Sequence, residues 1–387
     1  MIALSYSYMT FFQIIGPLPL VVQKGMKFVF FRLGAGLLAS TLASFAIQIQ
    51  AAGADADAFR AQFFELCDLA DDKIVDTNRQ GPFFVDSYAV RSLCAAYDLT
   101  GRLNYLDACR TWAARMVNFQ QNMTPKGAYY MNYKRRPGAI SGDWYSADSS
   151  SIGMAIIATA VRCHGKEQKR LLDSAREFAA LVINRFVKPS GGVSDGLWSK
   201  SQDEWWCSTA LFGSFLFNLY ANTGDRQYLQ AALHATQWLD RWEPGKDQPF
   251  PLSQQGPTMI FYVMENYSAG WPCISKDEIE QAKAFSKVEW CLDWIANQQK
   301  IPMDGRQWPV NKGWGMKFGG EPFHEFVFSR KLAGDKGLSK QGDLELERLG
   351  GLLFSAHPPQ LNQLSTFMML SYAERLNPGA VYKSLRN

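Results

Sequence analysis

Histidine is scarce in this 387-residue chain, with four in all, and none of its seven cysteines forms a C-x-x-C pair. No cluster of His, Cys, Asp or Glu stands at ligand spacing, so the sequence offers no metal site and calls for no cofactor. The cysteines are Cys67, Cys94, Cys109, Cys163, Cys207, Cys273 and Cys291. Most fall on apolar helical faces, where a thiol acts as a small hydrophobe. A disulfide framework is not expected in so long a chain. Alternating apolar and polar runs are also missing beyond a few residues, which removes sheet-based folds. Excess charge is lacking too. The 40 basic residues exceed the 36 acidic ones, but Lys24, Lys27 and Arg32 lie in the first 54 residues, which hold no acid. The remainder is within one charge of neutrality, which is no footprint for nucleic acid.

What is present is a repeat. Tyr97-Asp98-Leu99-Thr100-Gly101-Arg102-Leu103-Asn104-Tyr105-Leu106-Asp107-Ala108 recurs as Tyr220-Ala221-Asn222-Thr223-Gly224-Asp225-Arg226-Gln227-Tyr228-Leu229-Gln230-Ala231. Tyr, Thr-Gly, Tyr-Leu and Ala match at a constant offset. An apolar helix enters each copy and an amphipathic helix leaves it. Each copy is therefore a helical hairpin, with Gly at a C-cap that needs φ > 0. Such hairpins bury their apolar faces only by stacking on neighbours. The expected fold class is all-α, an (α/α) toroid or barrel of six to seven hairpins.

The N-terminus reads as a leader. A short basic region runs from Met26-Lys27 to Arg32, an apolar stretch follows from Leu33 to Phe45, and Ala52-Gly53-Ala54 offers a small-x-small cleavage site before Asp55. Residues 1–25 lie upstream of this pattern, so translation is expected to start at Met26. The expected organisation is a leader over 1–54 and one catalytic domain over 55–387. Cleavage would leave no stable membrane insertion, and the location expected is periplasmic or secreted.

Helical periodicity places long helices at roughly 56–75, 85–99, 103–121, 146–164, 167–188, 204–222, 225–241, 257–268, 276–298, 341–354 and 360–376. Asp225 and Ser275 suit N-caps. Short connections join helices at one end. Long connections at 76–84, 122–145, 189–203, 243–256 and 300–323 carry Gly, Pro and aromatics. In a ring of antiparallel hairpins these gather at one face, the mouth of a central funnel, and functional groups concentrate on such loops. Twelve Trp fit a sugar-binding cleft, because a pyranose ring has an apolar face that stacks on them.

Phe84-Val85-Asp86-Ser87-Tyr88-Ala89-Val90-Arg91-Ser92-Leu93 resembles the hairpins of (α/α) toroid carbohydrate enzymes. So do Gly127-Ala128-Tyr129-Tyr130-Met131-Asn132-Tyr133 and Trp144-Tyr145-Ser146-Ala147-Asp148-Ser149-Ser150. The likeness spans about residues 56–300. It is nearest to polysaccharide lyase family 38 and extends to the unsaturated-uronyl hydrolases of glycoside hydrolase families 88 and 105. The resemblance implies an exported lyase that cleaves an alginate- or glucuronan-type polymer by β-elimination, with an acidic polysaccharide or oligosaccharide as its partner. Two alternatives stay open: an unsaturated-uronyl hydrolase, and a toroid that binds glycans without cleaving them.

A uronate lyase must neutralise a carboxylate, take the C5 proton and protonate the leaving O4. Tyr267, ahead of Gly270-Trp271-Pro272, is the candidate base and acid. Glu204 stands beside the Trp205-Trp206 doublet, where an acid serves either a helix dipole or a cleft. Asp148 and Asp86 open apolar helices, and each reads as a cap carboxylate or as a substrate-facing acid. His324, in Pro322-Phe323-His324-Glu325, completes the catalytic candidates. For substrate binding the candidates are Asp86, Asn132, Tyr133, Trp144, Trp205, Trp271 and Arg135, the last within a basic triplet whose guanidinium forks match carboxylates.

Overall fold

The computed structural model describes residues 58–79, 81–133, 144–196, 204–241, 258–274 and 359–386, with five further positions between 347 and 354. The chain divides into two units, Met1–Asp57 and Ala58–Asn387, and every described residue belongs to the second. The expected leader, with its start at Met26, lies outside the described residues, as does the helix expected over 276–298.

The described helices are α1 (58–75), α2 (Phe83–Thr100), α3 (Leu103–Gln120), α4 (Ser146–Ala160), α5 (Gly165–Arg185), α6 (Trp206–Thr223), α7 (Arg226–Leu239), α8 (Thr258–Ile274) and α9 (Gln363–Leu376). Among the described residues strand pairing is confined to two isolated bridges, Val187 with Val193 and Ser194 with Glu204. Helices α9, α2, α4, α6 and α8 pack side by side in that order. Nearly every residue of α4 and α6 is buried, as befits walls covered on both faces. Helices α3, α5 and α7 lie outside them, each against the inner helix that precedes it. They bury one stripe apiece, such as Leu171, Leu172, Ala175, Phe178, Ala179 and Val182 on α5. This is the all-α (α/α) toroid that the repeat predicts.

The repeated turns do as expected. Gly101 and Gly224 adopt φ of 69° and 74°, and their N–H groups donate to Tyr97 O at 2.7 Å and Tyr220 O at 2.8 Å. Asp225 caps α7 by accepting from the Gln227 N–H at 3.1 Å. The chain's C-terminal segment then straps this end of the ring. Ser384 donates to Ala221 O, and the Leu385 N–H donates to Asn222. Lys383 and Arg162 share Asp98, and Glu374 accepts the N–H groups of Gly379 and Val381.

An ion pair crosses the interior. Arg91 on α2 meets Glu265 on α8 at 2.7 Å, with each side chain no more than 1% exposed. Since α4 and α6 stand between these helices in the ring, the pair spans its interior. Arg91 also lies over the rings of Tyr88 and Tyr382.

Candidate functional site

Helix α4 begins without a side-chain cap. A neighbouring turn satisfies it instead: the Ser146 N–H donates to Asp195 O at 3.0 Å, and the Ser146 hydroxyl donates to Ser194 O at 2.8 Å. That turn, 191–196, follows α5 and is held on both sides. Ser194 donates its N–H to Phe186 O, and Trp205, at the entry to α6, donates its N–H to Val193 O. Glycine is required at 192, where a Cβ would stand 2.6 Å from the Glu204 carboxyl carbon. The turn thus carries Asp195 to the N-terminus of α4, whose own first turn carries Asp148.

Asp148 is partly exposed, as is Asp195. The Tyr133 hydroxyl donates to Asp148 Oδ2. The Tyr133 ring is set by Phe84, with centroids 6.1 Å apart, and by Tyr145 at 6.2 Å. Cys207, in the first turn of α6, reports on the same space. Burial pushes its thiol up to about 12, and the charges of Asp148 and Asp195 both add to the rise. Two carboxylates from successive hairpins therefore lie within electrostatic reach of one thiol. With Tyr133 and Tyr145 they form an acidic, aromatic-sided cluster at the N-terminal ends of the inner helices. Acid–base chemistry on a hydroxylated ligand suits that set.

The structure distributes the other candidates differently. Glu204 accepts from the Trp238 indole N–H at 2.9 Å, and Trp238 in turn faces Trp206. Glu204 braces the turn that bears Asp195. Trp205 is partly exposed beside it. Asp86 is fully buried in the wall and accepts from Arg79 Nε at 2.6 Å. Burial raises its carboxyl to about 6 against the opposing pull of Arg79 and Arg115. Asn132 is buried at φ 60°, and its amide donates to Arg79 O and Gly81 O, pinning the segment before α2. Trp144 is fully buried and edge-on to Phe186. Tyr267 is fully buried as well, and its hydroxyl donates to Asp240 at 2.6 Å, at the C-terminal cap of α7. Trp271 stands near the C-terminal end of α8, away from the mouth. Arg135 and His324 lie outside the described residues.

Of the candidates, Asp148 and Tyr133 are brought into contact, while Asp86 engages Arg79 and Tyr267 engages Asp240. Asp195 is the residue that sequence reasoning missed. Its signal was an acid between glycines, in Gly191-Gly192-Val193-Ser194-Asp195-Gly196, inside a connection already assigned to the mouth. Among the described residues no three potential ligands gather as a metal site, and no helix is long and apolar enough to cross a membrane.

The described helices form an (α/α) toroid, with Asp148 and Asp195 near the N-terminal ends of its inner helices. No family model and no curated protein matches the chain. Among solved structures it is similar to a glycoside hydrolase family 76 (mannosidase), Bt3792 from Bacteroides thetaiotaomicron VPI-5482. The TM-score is 0.56 at 13% identity, over 84% of this chain and 98% of that one. At that identity the likeness is one of fold. It agrees with the toroid fold expected from the sequence, and it does not extend to polysaccharide lyase family 38 in particular.

Proposed function

We propose that this chain is a glycoside hydrolase acting on a polysaccharide or oligosaccharide, with Asp148 and Asp195 as its working carboxylates. The observation that carries the reading is that Asp148 lies in the first turn of α4, Asp195 accepts the Ser146 N–H there with its backbone carbonyl, and both charges act on the Cys207 thiol. Hydrolysis of a glycosidic bond needs one carboxyl to protonate the leaving oxygen and a second, ionised, to act at the anomeric carbon or on water. Tyr145 and Trp205 supply faces on which a sugar stacks. The fold shared with a mannosidase supports the same reading.

The acid-rich mouth favours a neutral sugar, because two carboxylates repel a uronate. Tyr267, the first candidate for a lyase base, is shut in the wall with a carboxylate partner. Export belongs to the proposal too: the leader over 1–54 directs the enzyme to the periplasm or outside, with a mature N-terminus near Asp55. N-terminal sequencing of exported material should find it there.

A panel of neutral and uronate glycans tests the reaction. Wild type should release reducing ends from a neutral glycan without generating the absorbance of a C4–C5 double bond. Asp148→Asn and Asp195→Asn should each lower turnover by about 10²–10⁴-fold, the scale of a lost acid–base group. A rising double-bond signal on a uronate polymer would establish a lyase instead.

A further inference from the structure

The connection ahead of α4 is fastened to two hairpins at once. Toward α2, the Phe83 N–H donates to Met131 O at 3.0 Å. Toward α4, the Ser149 hydroxyl donates to Tyr129 O at 3.3 Å, and the Tyr145 N–H donates to Met131 Sδ at 3.0 Å. We propose that Asn132 is the positioning residue of this segment: its backbone and its amide together place the Tyr133 hydroxyl on Asp148. The role rests on the hydrolase reading above.

Asn132 stands at φ 60°, and it is the one residue other than glycine with positive φ among the described residues. Asparagine tolerates that left-handed conformation, which bulky and β-branched residues do not. A left-handed residue turns the chain where an extended one would carry it straight on, so it sets the direction from which Tyr133 leaves. The side chain holds the turn in place. Its amide donates to Gly81 O at 3.0 Å and to Arg79 O at 3.3 Å, and its Oδ1 accepts from the Tyr130 hydroxyl at 3.1 Å. Arg79 is itself tied to Asp86 at 2.6 Å, which joins the anchor to the wall.

One residue further on, Tyr133 donates to Asp148 Oδ2, with its ring against Phe84 and Tyr145. The anchor thus belongs to the entrance of one hairpin and the acid to the first turn of the next. Asn132 is 7% exposed and committed to protein groups, so it acts through Tyr133 rather than on a sugar. A donor on one oxygen orients a carboxylate, and rate depends steeply on such placement: an error of about 1 Å costs on the order of 10²-fold.

A double-mutant cycle on a cleaved glycan tests the role. Asn132→Gly keeps the left-handed backbone and removes the amide. It should lower turnover by about 10–10²-fold with KM little changed. In a Tyr133→Phe background the same substitution should change turnover no further, because its route to Asp148 is already cut. A merely structural role would multiply the two losses instead. Carbon NMR of ring-labelled tyrosine reads the placement without substrate, with the Tyr133 signal assigned by Tyr133→Phe. In Asn132→Gly that signal should move toward the position it takes in Asp148→Ala, where the acceptor is gone. Asn132→Asp keeps the shape and the tolerance of positive φ but offers no donor to the two carbonyls. It should move the signal the same way, and it serves if the glycine variant does not fold. In an enzyme that cleaves glycans, an unchanged turnover, losses that multiply, or an unmoved Tyr133 signal overturns the assignment alone. An enzyme that cleaves no glycan overturns the hydrolase reading, and the tyrosine signal then still decides whether Asn132 places the phenol.

Discussion

At their N-terminal ends α4 and α6 meet long connections; at their C-terminal ends α2 and α6 turn back at once through Gly101 and Gly224. Several of the described polar groups at the turned end engage one another. Asp98 engages Arg162 and Lys383, Glu374 engages two backbone N–H groups of the terminal strap, and Asn222 receives the Leu385 N–H. At the open end, Asp148 and Asp195 remain partly exposed, with one supported by a phenol and the other placed by its own carbonyl. The same helix-and-connection plan yields one end tied by the terminal strap, beside a cavity of about 730 Å³ lined by Tyr220, Arg226, Cys273 and Arg386, and another end that carries Asp148 and Asp195. The lesson is a division of effects: changes at Asp148 and Asp195 should move rate without stability, and changes in the buried wall should do the reverse.

The largest contrast sets Asp148 against Glu265. Asp148→Asn should cost the 10²–10⁴-fold in turnover stated above and leave the melting temperature within a degree or two. Glu265→Gln strands Arg91 as a buried cation without its counter-charge, which costs about 3–5 kcal/mol of stability. Melting curves and turnover measured on the same two proteins make the comparison. A melting temperature unchanged by Glu265→Gln would show that the central pair is not a brace.

Tyr267→Phe comes next in size. It keeps the ring and removes the hydroxyl that donates to Asp240. Stability should fall by about 1–2 kcal/mol, the cost of one buried hydrogen bond to a charged group, while turnover stays near wild type. A fall in turnover by a factor of a hundred or more, with stability intact, would return the chemistry to this phenol.

Asp86 sharpens the comparison, because it sits at the mouth end yet belongs to the wall. Its carboxyl is raised from 3.8 to about 6 by burial. The folded chain therefore holds a proton between those values that the unfolded chain releases. Stability from this group is fullest below about pH 4 and is lost as pH rises through about 6. Urea unfolding of wild type and Asp86→Asn at about pH 4, 5 and 6 reads the effect. The wild-type decline across that window should flatten in the variant; equal slopes would mean that Asp86 titrates normally.

The hairpin repeat was legible because it is local: one Gly per copy, flanked by helical periodicity, fixes both the turn and the antiparallel pairing. Asp148 was legible as a candidate because it opens a helix, and Tyr133 because it ends the aromatic 127–133 stretch ahead of a basic triplet. Their contact was not, since it depends on how residues 131–133 return to α4. Asp195 escaped because an isolated acid in a Gly-rich turn has no period to mark it. The burial of Tyr267 was hidden for the complementary reason. Its flanking Gly270-Trp271-Pro272 looks like a mouth loop in sequence, but these residues continue α8 at its far end, and the partner that claims the hydroxyl lies 27 residues earlier.

The smallest effect separates the two copies of the repeat. Gly101 and Gly224 share a left-handed conformation, so Ala at either costs about 1 kcal/mol through the backbone alone. Their surroundings differ. A Cβ on Gly101 meets nothing within 4 Å, whereas one on Gly224 would stand 2.8 Å from the Arg386 guanidinium. Arg386 lies over the Tyr220 ring and is the end of the terminal strap. It is exposed and flexible, so it can move aside, giving up an interaction worth about 0.5–1 kcal/mol. Gly224→Ala should therefore lower stability by a few tenths of a kcal/mol more than Gly101→Ala. In an Arg386→Ala background the two substitutions should cost the same. A difference that persists in that background would place its origin in the α6–α7 turn itself rather than in the strap that covers it.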